Sequence, residues 1–273
     1  MIMLRQLRAE LRKGRTPATV GAFIFVAAVA GIMQSLGQNF DPGPSWANWA
    51  GAFSISATQH ATLLGFVFSG LVAGQVSGAE AAQSSLGVTL SAEPSRRRLF
   101  TVKAAALVVY TIISFVITAL VLRIGGIIDI TAGANFEDTA RIPWAVAGEN
   151  SARAALVIAA LAAAQTAIAL RTASTTVPAV GSAAVYMIGF TLIGVYTFEA
   201  NPSAPFADLT PFMWVTRWMQ LDGFGRYVDF VGLPPSSNHN LIPGAVLVAV
   251  VLVSAALSER LINRTIATPR GAS

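Results

Sequence analysis

Six runs of the chain contain no Asp, Glu, Lys or Arg: Ala18–Gly37, Ala52–Gly74, Ala104–Leu122, Ala154–Leu170, Val177–Tyr196 and Ile242–Leu257. A hydrocarbon core about 30 Å thick takes about 20 helical residues to cross, and these runs are at or near that length. The run ending at Leu170 is at the short end. An isolated segment in lipid must satisfy its own backbone hydrogen bonds, so each run is predicted to be a helix. Charged residues make up 11% of the 273, against about 25% in soluble domains, which leaves too little polar surface for a water-facing fold. The expected fold class is all-α, a polytopic membrane protein with six transmembrane helices, and a soluble enzyme is excluded.

An even number of spans puts both termini on one side. With the N-terminus inside, the cytoplasmic segments hold 13 Lys and Arg against four acids, a net +9, and the external segments hold five against nine, a net −4. The Lys/Arg bias places both termini in the cytoplasm. The overall charge of +5 is thus topology rather than a nucleic-acid footprint. The expected location is the bacterial plasma membrane. Ala28-Val29-Ala30 has the small residues of a signal-peptide cleavage site, but the apolar run continues to Gly37 and is read as a span.

Between the spans, Met3–Arg15 has Met3, Leu7 and Leu11 on one stripe and Arg5, Arg8, Arg12 and Lys13 around the rest, the pattern of an amphipathic helix lying flat on the cytoplasmic surface. Asn39–Gly51 and Arg123–Arg153 are expected as external loops, and Arg171–Thr176 as a tight cytoplasmic turn. The longest external stretch, Phe198–Leu241, carries Phe212, Trp214 and Trp218, aromatics suited to an interfacial or re-entrant helical pair or to an ordinary loop.

Little in the sequence speaks for catalysis. Cysteine is absent. Neither Lys13 nor Lys103 follows a glycine, so no P-loop is present and ATP hydrolysis is not expected in this chain. His60 and His239 lack a metalloprotease spacing, and no metal site is expected. No Asp, Glu, Lys or Arg lies within the six runs, which weakens an ion-coupled carrier. Gly70, Gly74 and Gly78 recur every four residues and form a bare stripe for close helix packing, unless the spacing is chance among 23 glycines. Ser54, Ser56, Thr58, Gln59 and His60 mark the outer end of span two, where they face a partner, a substrate path or the headgroups.

The segment between spans two and three is the most informative. Ala82, Leu86 and Leu90 form one apolar stripe of a short surface helix. Pro94 then breaks it from span three, and Arg96, Arg97, Arg98 and Lys103 anchor that span at the headgroups. Glu80 either caps the helix start or pairs with a basic group on a partner. Glu80, Leu90, the Pro94-x-Arg96-x-Arg98 run and Lys103 resemble, in type and spacing, permeases of the ABC type-2 exporter family, particularly the small six-span versions common in actinobacteria. Ser84-Ser85 stand where that family usually has Gly-Thr. Leu170-Arg171-Thr172-Ala173 is similar to the family as well.

The resemblance implies a single transmembrane domain over 1–273: an interfacial helix (1–17), spans one and two (18–74), a coupling segment (75–103), spans three to five (104–196), an external loop (197–241), then span six with a cytoplasmic tail (242–273). It implies half a transporter, pairing with a second permease chain and with two copies of a separate ATP-binding subunit that holds ATP and Mg. No cofactor is implied in this chain. Glu80, Leu86, Leu90, Pro94, Arg96, Arg98 and Arg171 would couple to the ATPase. Ser56, Gln59, Phe212, Trp214 and Trp218 would line a substrate path or outer gate for a hydrophobic or amphipathic compound. The competing class is a non-transporting membrane sensor or assembly protein derived from such a permease.

Overall fold

The computed structural model describes residues 2–37, 48–62, 64–82, 95–132, 143–185, 187–188, 218 and 241–267. The regular elements among them are all helical. They are α1 (Ile2–Lys13), α2 (Pro17–Gly37), α3 (Trp49–Thr62), α4 (Leu64–Ala73), a π turn (Gly74–Gly78) leading into α5 (Ala79–Ala82), α6 (Arg96–Thr131), α7 (Trp144–Thr172), α8 (from 177, described to 188) and α9 (Leu241–Ala267).

Two helices are each long and apolar enough to cross a membrane: Arg97–Asp129 within α6, and α7. Two bent pairs qualify when each is taken together, α1 with α2 at 81° and α3 with α4–α5 at 61°, so the described residues offer two to four candidate spans. The expected fifth span is described only to residue 188, and the apolar part of α9 is the shorter Ala245–Ser258.

α6 turns a large apolar face outward and packs a mixed apolar and hydroxyl face inward. Thr111, Ser114 and Thr118 are buried, while Ile112, Ile113, Val116, Leu120 and Ile124 are exposed. In water that outward face would forfeit the burial that stabilises a fold, whereas in lipid it is at home. Exposed Ile24 and Phe25 on α2, Leu156 on α7 and Leu252 on α9 extend the apolar exterior. The helices compatible with a membrane therefore carry a membrane-compatible surface.

α7 lies at the centre, against α3, α4, α6 and α9. Its inward residues are mostly small, Ala154, Ala160, Ala162, Ala163 and Ala169 among them, so neighbouring backbones come close and dispersion contacts accumulate. At its C-terminus Ala173 adopts a left-handed conformation (φ 46°) and ends the helix. The Ser174 hydroxyl then accepts the N–H groups of Thr176 (3.1 Å) and Val177 (3.2 Å), which caps α8 and closes the tight turn expected at 171–176.

Several boundaries differ from the sequence reading. Span two is not one straight helix but α3 and α4 meeting at a 61° bend. α6 runs 36 residues, from Arg96 through Arg123 to Thr131, and α7 already begins at Trp144. Much of the loop expected over 123–153 is thus helix: a charge ends a run at membrane depth, but it does not end a helix whose backbone hydrogen bonds continue into water. In α1, Leu7 and Leu11 pack inward, but Met3 is exposed and Glu10 takes the inward position instead.

Candidate functional site

α1 crosses the end of α2 at 81°, and three hydrogen-bonding contacts hold it there. The Tyr110 hydroxyl donates to the Leu11 carbonyl at 2.5 Å, and Gly14 passes over the Tyr110 ring so closely that a Cβ there would stand 2.7 Å from it. The other two contacts are ionic. Lys103, on the second turn of α6, has no exposed surface at all, and Glu10 and Glu80 are buried beside it. Its ammonium donates to Glu10 Oε2 (2.9 Å), to Glu80 Oε2 and to the Val76 carbonyl (3.1 Å). Lys13 donates to the remaining oxygens, Glu10 Oε1 (2.8 Å) and Glu80 Oε1 (3.2 Å). Each carboxylate therefore bridges both ammonium groups, and the four side chains form a closed, neutral ring.

Local structure places these groups. α6 starts after Ser95, whose carbonyl accepts the Leu99 N–H (3.0 Å) and whose hydroxyl accepts the Arg98 N–H at 3.4 Å. Lys103 then falls on the same inward face as Leu99, Val102 and Ala106. In the π turn the backbone bond runs from the Ala79 N–H to the Gly74 carbonyl, and the Val76 carbonyl is turned to Lys103. Single π turns inside α-helices often mark functional positions. Burying an unpaired charge costs several kcal/mol, so a fully buried ammonium is tenable only with this many oxygen partners. Burial of Lys13 would lower its pKa, but the Glu10 carboxylate, aided by Glu80, overcomes this and raises it above 10.5.

Glu80 pairs within the chain. Helix runs into it from α4 through the π turn, which places Glu80 in the first turn of α5 with helix already before it, and its carboxylate is engaged by this chain's own lysines. Lys103 likewise does not reach for headgroups. A local rule that reads a basic residue at a span end as an anchor has no access to acids 23 and 93 residues away. The available signal was compositional: Lys13 and Lys103 are the only lysines beside 16 arginines, and both stand in the ring. Among the other proposed coupling residues, Arg98 and Arg171 are exposed and Arg96 opens α6, while Leu86, Leu90 and Pro94 lie outside the described residues.

The three spaced glycines all face residues 174–182. A Cβ on Gly70 would meet the Ser182 hydroxyl and the Pro178 carbonyl, one on Gly74 the Thr175 carbonyl, and one on Gly78 the Ser174 carbonyl. The stripe thus seats the turn and first helical residues of α8.

Toward the other end, polar residues of α3 are buried between α6 and α7. Ser56 donates to the Phe115 carbonyl (2.7 Å), Asn150 to the Ser54 hydroxyl (2.7 Å), and His60 joins the Ser56 carbonyl to the Ser114 hydroxyl, both at 2.9 Å. Gln59 is buried with them. Trp218 packs on Ala57, Ala61, Ala154, Val157 and Ile158, and its carbonyl accepts from Arg153, whose guanidinium also pairs with Glu149. Phe212 and Trp214 lie outside the described residues. Among those described, no three His, Asp or Glu side chains come together as metal ligands. No protein-family model matches the chain, and no curated protein matches it.

Proposed function

We propose that this chain is the transmembrane permease subunit of an ATP-driven exporter of the ABC type-2 kind, in a bacterial plasma membrane, with six spans and both termini in the cytoplasm. The spans are α2, α3 with α4, α6, α7, the helix opening at 177, and α9. The observation that carries the reading is the ionic ring, buried except at Lys13. It ties together the interfacial helix, the end of span two where the coupling segment begins, and the start of span three. These are the three places at which force from a docked ATPase would enter the permease, and a closed ionic ring moves them as one body.

The distribution of contacts supports the sidedness. All four ring residues belong to segments assigned to the cytoplasm. At the other end Gln34 donates to Asp129 (3.1 Å), Arg123 lies over the Trp49 ring (5.8 Å) and Arg153 over the Trp218 ring (5.9 Å), and those charged groups belong to segments assigned outside. The cargo class is hydrophobic or amphipathic: drug, antibiotic, peptide or lipid. Two ATP-binding subunits, supplying ATP and Mg, and a second permease chain complete the transporter.

The test is copurification of the tagged chain with an ATP-binding subunit encoded beside it, followed by ATP turnover in proteoliposomes. The pair should copurify, and Glu80→Gln should keep the complex but lose substrate-stimulated turnover. A wild-type chain that binds no ATPase would refute the exporter and leave the non-transporting reading standing.

A further inference from the structure

The ring has a consequence for the surface around it. At this end of the molecule Glu10, Glu80 and Lys103 are buried together with only Lys13 of the ring exposed, and the other exposed charges among the described residues there are arginines: Arg5, Arg8, Arg12 and Arg15 on or just after α1, Arg97 and Arg98 on α6, Arg171 on α7 and Arg260 on α9. Arg5, Arg8 and Arg12 fall at i, i+3 and i+7, one stripe of α1 on the side away from Glu10. Leu4, 56% exposed, lies along the edge of that stripe. One turn beyond the α1–α2 bend the exposed apolar surface begins, with Val20, Ile24 and Phe25. A helix held at 81° to a span lies along the plane in which headgroups sit, and a basic stripe edged by an apolar side chain matches a phosphate layer above acyl chains.

We propose that the Arg5, Arg8 and Arg12 stripe is a binding site for anionic phospholipid headgroups, and that occupancy is felt at the ring because Glu10 and Lys13 stand on the same three-turn helix. This rests on the membrane reading, not on the exporter reading. Arginine suits the role, since its planar fork takes two phosphate oxygens at once and stays charged at any relevant pH. The ring supplies the rigidity: lipid pulling on one side of α1 is opposed by ion pairs on the other, so the helix transmits the load rather than peeling away.

The full chain, purified in a mild detergent, is titrated with dioleoylphosphatidylglycerol or dioleoylphosphatidylcholine, and retained lipids are counted by native mass spectrometry alongside the unfolding temperature. Wild type should retain and be stabilised by phosphatidylglycerol only, and the effect should fade in high salt. The R5Q/R8Q/R12Q variant should bind it about a hundredfold more weakly, at roughly fivefold per lost arginine. R5K/R8K/R12K should keep most of the binding, which separates lost charge from lost folding, and Arg97→Gln with Arg98→Gln should change it little. Equal retention of the two lipids, undiminished binding by the triple Gln variant, or complete displacement by millimolar inorganic phosphate would overturn the site. So would a triple Gln variant that keeps lipid but loses an ATPase partner, because the stripe would then belong to protein. Apart from that last one, none of these outcomes depends on whether an ATPase is found.

Discussion

Replacing Lys103 by Met keeps an unbranched side chain one atom shorter and removes its charge from a site with no exposed surface. The ring then goes from neutral to a net −1, with Glu10 and Glu80 sharing Lys13 alone, and the Val76 carbonyl loses its donor. Removing one partner of a buried ion pair costs about 3–5 kcal/mol, most of it the penalty for the charge left behind. At about 1.4 kcal/mol per tenfold, that is a shift of roughly two to nearly four orders of magnitude in the folding equilibrium. Lys103→Met with Glu80→Gln restores neutrality, leaving Lys13 with Glu10, and it should recover at least half of the loss. The assay is a double-mutant cycle on the purified chain in detergent, with the folded fraction followed through an SDS titration by helical signal and gel filtration. A coupling energy above about 1 kcal/mol is expected for groups in one network. Costs that simply add, or a Lys103→Met chain as stable as wild type, would refute the ring as a cooperative unit.

Further predictions concern other parts of the molecule. Gly74→Leu should lower folded yield, since its side chain must displace the Thr175 carbonyl, at a cost of about 1–3 kcal/mol, while Gly21→Leu, with open space around it, should be tolerated. The raised pKa of Lys13 means that its stabilising contribution is full below about pH 10.5 and is lost as pH climbs through the higher folded value. Unfolding measured from pH 9 to 12 should therefore show a loss above 10.5 that Lys13→Gln flattens, modestly because Lys13 is partly solvated. Single cysteines at the two ends of α6, both exposed, report the sides: Thr131→Cys should react with an impermeant thiol reagent added outside intact cells, and Ser95→Cys should not. The reverse pattern would invert the proposed topology.

The helices were legible because lipid imposes a severe rule, and a run such as Ala104–Leu122 obeys it in full view. Their ends were not, because Arg123, Glu149 and Arg153 limit what lipid accepts but leave the backbone ladder intact. The bend between α3 and α4 has no proline to announce it, only Gly65 near the start of α4, and a Cβ there would strike the His60 carbonyl. In the site, Glu80 drew notice for its position after span two, but its partners did not, since ion pairing between residues 10, 13, 80 and 103 is a property of the packed chain. Gly70, Gly74 and Gly78 announced a close approach through their spacing, and spacing alone could not say that residues 174–182 make it.

The π turn at Gly74–Gly78 amounts to one residue more than a regular α-helix would use. Each residue added to a helix rotates everything after it by about 100°, so the extra one decides which way Glu80 points. Deleting a single residue there would give a smoother helix and carry the carboxylate about a quarter turn away from Lys103. For this protein the length of that segment is therefore a coordinate as much as a spacer: the number of residues in it sets the direction of the Glu80 carboxylate.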